Sequence, residues 1–96
     1  MGILQDQRTR AKHKRILLYY QELDRAKVNH EGICELIFYI FDIGEYWLTK
    51  ILNKDIEDYR DVKLEHWDLD MKIIDEYVVK IRREAKKARN RQLTLL

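Results

Sequence analysis

The sequence predicts an all-α fold: a small helical bundle with a tri-helical helix-turn-helix core and a long C-terminal amphipathic helix. Three observations carry that expectation. The 96 residues contain no proline and only three glycines, so little interrupts a helix. They are 46% hydrophobic and 38% charged, a balance that suits a compact amphipathic unit and not a disordered chain. Apolar residues also recur at spacings of three and four through four separate stretches. The length fits one domain, residues 1–96, with no room for a large substrate cleft or a second catalytic domain.

The first helix is expected over residues 10–27, with Ile16, Leu17, Tyr20 and Leu23 on one stripe and Leu18 and Tyr19 widening it. Asn29 offers an N-cap for a second helix over 30–40, with Glu31 complementing its positive end and Ile33, Leu36, Ile37 and Ile40 facing inward. A tight turn, Phe41-Asp42-Ile43-Gly44, leads into a third helix over 45–53 that turns Leu48, Ile51 and Leu52 inward. Residues 54–67 form a charged connector whose structure the pattern leaves open between a short helix and a loop. The last helix is expected from an Asp68 cap to Arg91, with Met71, Ile74, Tyr77, Val78, Ile81, Ala85 and Ala88 on one stripe. Beyond Ile81 that stripe thins to alanine, so the terminal turns have little to hold them, and 92–96 reads as a flexible tail.

Two short helices joined by a three- or four-residue turn with an apolar plug make a helix-turn-helix. Here Ile43 is the plug, while Leu48, Ile51 and Leu52 lock the third helix onto the second. The turn ordinarily takes glycine where Asp42 stands, because the backbone there is left-handed, a region aspartate tolerates better than most residues. Gly44 stands where a serine N-cap is usual, and glycine is an acceptable substitute. The outward residues of the third helix are then Glu45, Tyr46, Trp47, Thr49, Lys50 and Asn53. Lys50 can donate to guanine O6 and N7, Asn53 can pair with adenine, and Thr49 or an aromatic edge can meet a thymine methyl. In a plain helical bundle, Tyr46 and Trp47 would instead be core aromatics, with Thr49 and Lys50 merely solvated.

The net charge of +2 conceals an uneven layout. Arg8, Arg10, Lys12, Lys14 and Arg15 form one basic stretch; Lys80, Arg82, Arg83, Lys86, Lys87, Arg89 and Arg91 form another, opposed only by Glu84. Between them, residues 16–79 hold 7 basic against 15 acidic side chains, a net of −8. Basic arms are what a phosphate backbone attracts, and the N-terminal one is expected to hold phosphates. They can equally be solvated helix ends that complement a macrodipole.

The run Arg15 to Val28 together with Phe41 to Leu52 resembles the small helix-turn-helix proteins of mobile elements and prophages in Bacteroidetes, which are similar to the DNA-binding segment of transposases. The likeness rests on the paired Tyr19-Tyr20 of the first helix, the Glu22-Leu23-Asp24-Arg25-Ala26-Lys27 step and the aromatic-rich turn, and it covers roughly residues 8–53. It implies double-stranded DNA binding in element regulation or transposition. The tail Gln92-Leu93-Thr94-Leu95-Leu96 resembles the Gln-Leu-x-Leu-Phe peptide that docks bacterial proteins on the sliding clamp, with Leu96 in place of phenylalanine; Gln92, Leu93, Leu95 and Leu96 would make that contact. A frayed apolar tail is the alternative.

Catalytic and metal chemistry find no support in the spacing. His13, His30 and His66 lie on different elements, and the single Cys34 completes no zinc site. Cys34 reads as a small buried apolar residue, and one cysteine without an apolar leader suggests a reduced, cytoplasmic chain. The acids of Glu65-His66-Trp67-Asp68-x-Asp70 are most simply complements to a helix N-terminus. The longest apolar run, residues 36–41, is far short of the ~20 residues a membrane span needs. No enzyme activity, cofactor, metal or membrane partner is therefore expected. The expected function is sequence-specific binding of double-stranded DNA, with a homodimer through the 68–91 helix as one way to place two recognition helices. The alternative is a small helical interaction protein or inhibitor that uses the acidic body.

Overall fold

The computed structural model describes the backbone of residues 2–95 and the side chains of residues 7–89. It is all-α. Helix α1 spans Gly2–Arg25, α2 His30–Phe41, α3 Glu45–Leu52 and α4 Trp67–Leu95, with a 3-10 turn at Ile56–Tyr59 between α3 and α4. No strand occurs among the described residues.

Helix α1 is the spine: α2, α3, the 3-10 turn and α4 all pack on it. Being covered from several sides, it buries Ile16, Tyr19 and Leu23 completely, while Leu17 and Tyr20, expected at the stripe's centre, are only half-buried at its edge. It begins well before residue 10 and stops at Arg25, not at Lys27. The stop is a Schellman motif: Lys27 takes a left-handed φ of 65°, the Lys27 N–H donates to Asp24 O and the Val28 N–H to Leu23 O. Val28 and Leu23 are both buried, which supplies the apolar contact that usually accompanies this motif.

Asn29 caps α2 as its position predicts, accepting the Gly32 N–H at 2.8 Å. Gly32 is required for space. A Cβ there would lie 2.9 Å from Val28 Cγ1, and the Gly32 carbonyl accepts the Tyr77 hydroxyl of α4 at 2.7 Å. The connector is not a free loop. Tyr59 is buried against α1, Arg10 sits over its ring at 5.6 Å, and Lys14 donates to the Val62 carbonyl.

Helix α4 starts one residue before the expected Asp68 cap. The His66 carbonyl receives the first amide bonds, from Leu69 and Asp70, so Asp68 lies inside the first turn as a complement to the dipole. Along its apolar stripe, Ile74 and Val78 are buried, while Met71, Tyr77 and Ile81 pack against the same core. The part of the stripe from Met71 to Ile81 thus packs within the chain, while Ala85 and Ala88 at its far end stay exposed. The backbone of 92–95, which the pattern reads as a flexible tail, continues α4; the side chains of Gln92, Leu93 and Leu95, and all of Leu96, lie outside the described residues.

Asp70 is the one buried charged residue among those described, 6% exposed. Its carboxylate accepts the Tyr19 hydroxyl at 2.6 Å and Arg15 Nη2 at 2.7 Å on one oxygen, and Arg15 Nε at 3.0 Å on the other. Trp67 and Phe41 meet the Tyr19 ring edge-on at 5.8 and 5.0 Å, and the Arg15 guanidinium lies 4.9 Å from the Phe41 ring centre. The junction thus joins α1, the end of α2 and the start of α4.

Further along, Glu22 and Arg25 of α1 and the following Ala26 line one hollow with Ile74, Val78 and Arg82 of α4. The two helices therefore run in the same direction, and each overhangs the body at an opposite end of a molecule 61 Å long and 27 by 21 Å across.

Burial pushes the Asp70 carboxyl up, but the Arg15 and Tyr19 hydrogen bonds outweigh it and hold it below its ordinary value. A depressed folded value means that its contribution is complete above the unfolded value of about 3.9 and is lost as pH falls through the folded one. Asp70→Asn is expected to lower stability by about 1–3 kcal/mol at pH 7. In urea unfolding at stepped pH, the gap between wild type and variant should narrow below about pH 4; a gap independent of pH would show that the carboxylate charge is not what holds α4.

Candidate functional site

A three-residue turn, residues 42–44, joins α2 to α3. Asp42 adopts φ 52°, ψ 50°, the left-handed conformation expected there, and its N–H closes α2 on Phe38 O at 3.0 Å. Ile43 is half-buried against the core, so the turn is plugged. Gly44 is extended at φ −102°, ψ −179° and caps α3 without a side-chain bond, its carbonyl accepting the Leu48 N–H. Leu48 and Ile51 are buried and Leu52 half-buried, which fixes the opposite face of α3 outward.

That outward face carries the residues the sequence singles out. Glu45, Tyr46, Trp47, Thr49, Lys50 and Asn53 are all exposed. At 100° per residue, Tyr46, Thr49, Lys50 and Asn53 form its centre, with Trp47 and Glu45 at the margins. Tyr46 is 66% and Trp47 58% exposed, so neither is a core aromatic. Their rings meet edge-on at 5.6 Å, and Lys50 Nζ stands 4.6 Å from the Tyr46 centroid and 5.5 Å from that of Trp47. Thr49 Oγ1 donates to the Glu45 carbonyl at 2.9 Å, which leaves the hydroxyl oxygen and methyl free to meet a partner. Asn53 closes the helix with its amide and keeps its side chain exposed.

The N-terminal basic arm divides in two. Arg8 and Lys12 are exposed and unengaged among the described contacts. Arg10, Lys14 and Arg15, expected beside them as phosphate ligands, are held inside the chain. Arg10 grips Asp61 with two bonds of 2.8 and 2.9 Å and the Asp58 carbonyl with a third, Lys14 donates to Val62 O, and Arg15 is fixed on Asp70. The reason is the connector, which folds back along α1 and brings acceptors the spacing did not reveal.

Sequence reasoning passed over Lys54. The His13 imidazole is held below its ordinary value first by burial, then by the charges of Lys54 and Lys12, so these two ammonium groups share the neighbourhood of His13. Lys54 is exposed and immediately follows α3, giving that end of the helix a positive flank; only the folding of the connector discloses it.

A second cluster lies at the start of α2, where His30 Nδ1 meets the Tyr20 hydroxyl at 2.9 Å and Nε2 meets Cys34 Sγ at 3.3 Å. Burial, then Glu45, pushes the thiol up, which opposes thiolate chemistry; Cys34 is buried, as its sequence context suggests. No group of three or more metal-binding side chains occurs among the described residues, and none of their helices is long and apolar enough to cross a membrane.

Comparison with protein-family models, with curated proteins and with solved structures finds no match to this chain.

The open cap can be tested on its own. A Cβ at Gly44 would meet nothing within 4 Å, so Gly44→Ser adds the missing side-chain cap without a clash. It should raise stability by about 0.5–1 kcal/mol, while Asp42→Ala, forced into a left-handed backbone, should lower it by about 1 kcal/mol. Thermal melts of the two variants would show opposite shifts; shifts of one sign would mean the turn is not built this way.

Proposed function

We propose that this chain binds double-stranded DNA, with α3 in the major groove. The observation that carries the reading is the exposed face of α3: Tyr46, Thr49, Lys50 and Asn53 project from a helix fixed behind by Leu48 and Ile51 and preceded by a plugged left-handed turn. Two large aromatic side chains left in water beside a lysine are unusual in so small a domain, and such groups pair well with base edges and thymine methyls. Lys12 and Lys54 supply charge near that face, and Arg8 extends it along α1.

In this reading the duties divide. Lys50 and Asn53 discriminate between base pairs; Arg8, Lys12 and Lys54 hold phosphates and fix the register. Regulation or transposition of a mobile element is the setting that the sequence resemblance suggests. Sliding-clamp docking through Gln92, Leu93, Leu95 and Leu96 would be a separate property of the C-terminal end.

Fluorescence anisotropy with a selected duplex and a scrambled one tests the division. Lys50→Ala or Asn53→Ala should lose about 1–3 kcal/mol on the selected duplex and little on the scrambled one, whereas Arg8→Ala/Lys12→Ala should weaken both and lower the salt slope by up to about 2. Equal losses on both duplexes from every variant would reject base reading by α3. Indifference to DNA, with a stable one-to-one complex with a host protein, would instead favour the inhibitor reading based on the acidic body.

A further inference from the structure

The last described turns of α4 carry only exposed side chains. Apolar packing of α4 on the core ends at Ile81, and beyond it Arg82 borders the hollow shared with Glu22 and Arg25. Arg82, Arg83, Lys86, Lys87 and Arg89 stand there with Glu84 as the one acid, and none of them takes part in an ion pair found among the described residues. The N-terminal arm, by contrast, has three of its five cations tied to its own chain. The larger store of free positive charge is therefore at the C-terminal end.

Its arrangement on the helix is one-sided. At 100° per residue, Arg82, Lys86 and Arg89 fall within about 60° of one another, with Arg83 and Lys87 beside them. The five together cover about 160° of the helix, with Ala88 and Glu84 on the remaining side and Ala85 next to Arg89. Such a surface has charge but no large apolar side chain to insert into lipid, which argues for a polyanion in water and against a membrane interface. Arg82 with Lys86 and Arg83 with Lys87 are like charges one turn apart, a mildly destabilising arrangement that Ala, Arg and Lys propensity offsets and that neighbouring phosphates would relieve.

The position is also set by the fold. Because α1 and α4 run in the same direction from the Arg15–Asp70 junction, the two basic ends point opposite ways. At 1.5 Å per residue, Arg8 lies about 10 Å before the junction and Arg89 about 28 Å beyond it, a span a little over one turn of duplex. The acidic body, with α3, lies between them.

We infer that residues 82–89 of α4 are a phosphate-backbone contact for a nucleic-acid duplex lying along the molecule, and that they supply most of its salt-dependent affinity. The inference rests on the DNA-binding reading for the identity of the duplex, but involves different residues.

The test is a salt series of anisotropy titrations with a mixed-sequence duplex of about 20 base pairs. It compares the full-length wild type, R82Q/R83Q/K86Q/K87Q, and Tyr46→Ala/Lys50→Ala. Glutamine keeps helix propensity at exposed positions, so circular dichroism and melting of the fourfold variant should match wild type. Its slope of log affinity against log salt should fall by about 3–4, and its affinity at 0.1 M salt by at least tenfold.

An unchanged slope in the fourfold variant, with binding lost in the α3 variant, would overturn this inference and leave the α3 reading standing. Binding lost in the fourfold variant and untouched in the α3 variant would do the reverse. No duplex binding at low salt, or tight binding to phosphatidylserine vesicles in its place, would overturn both, as would a wild type whose overhang pairs with the acidic body of a second copy in sedimentation.

Discussion

The buried carboxylate of Asp70 sets the frame on which the rest depends. A charge in so small a core is costly unless it is paired and hydrogen-bonded, and here the Tyr19 hydroxyl and two Arg15 nitrogens supply three bonds. The three groups meet only if the first turn of α4 lies beside the middle of α1. That single register sends the two helices in one direction, seats Ile74 and Val78 on the core and places Tyr77 on the Gly32 carbonyl of α2. The Tyr19 ring, held between Phe41 and Trp67, ties the end of α2 to the same point, so the turn that leads into α3 is anchored from behind.

The charge pattern gains its meaning from this frame. Along the sequence, two basic arms flank an acidic middle; in the fold, part of the first arm neutralises the connector and the Asp70 junction, while the second projects past the body. The Arg10–Asp61 pair is at the surface, where ion pairs contribute little, and its role is better described as holding the connector against α1 than as a source of stability. Among the described residues, Lys50 on α3, Arg8, Lys12 and Lys54 around the body, and Arg82, Arg83, Lys86, Lys87 and Arg89 on the α4 overhang take part in no ion pair, nor do the scattered Lys27, Arg60, Lys63, Lys72 and Lys80. The proposed DNA contacts draw their charge from the α3, N-terminal and overhang groups.

Much of the fold was legible because helical periodicity is local. The stretches around Ile33–Ile40 and Leu48–Leu52, the Asn29 cap and the left-handed Asp42 all follow from spacing and backbone sterics within a few residues. The outward face of α3 followed as well, since burying Leu48 and Ile51 leaves Tyr46, Thr49, Lys50 and Asn53 no other side. Pairing across long separations was not legible. Nothing near Asp70 announces Arg15 and Tyr19, more than 50 residues earlier; its acid neighbours make it resemble one more dipole complement. Nor did the spacing disclose the bonds that Arg10 and Lys14, expected at phosphates, make within the chain, because the connector that supplies the acceptors has no period of its own. Placing Tyr20 ahead of Tyr19 on the α1 stripe was a smaller error of the same kind, since the spine is covered from several directions and its buried side is set by partners.

The most direct test of the account is a two-dimensional amide NMR titration of the full chain with a short duplex, following every assigned backbone signal. The account predicts that shifts concentrate at residues 45–54, around Arg8 and Lys12, and along 82–89, while Glu31, Glu35 and Tyr39 on the exposed side of α2 stay still. Shifts centred on that acidic side of α2, or no shifts at all at low salt, would contradict it.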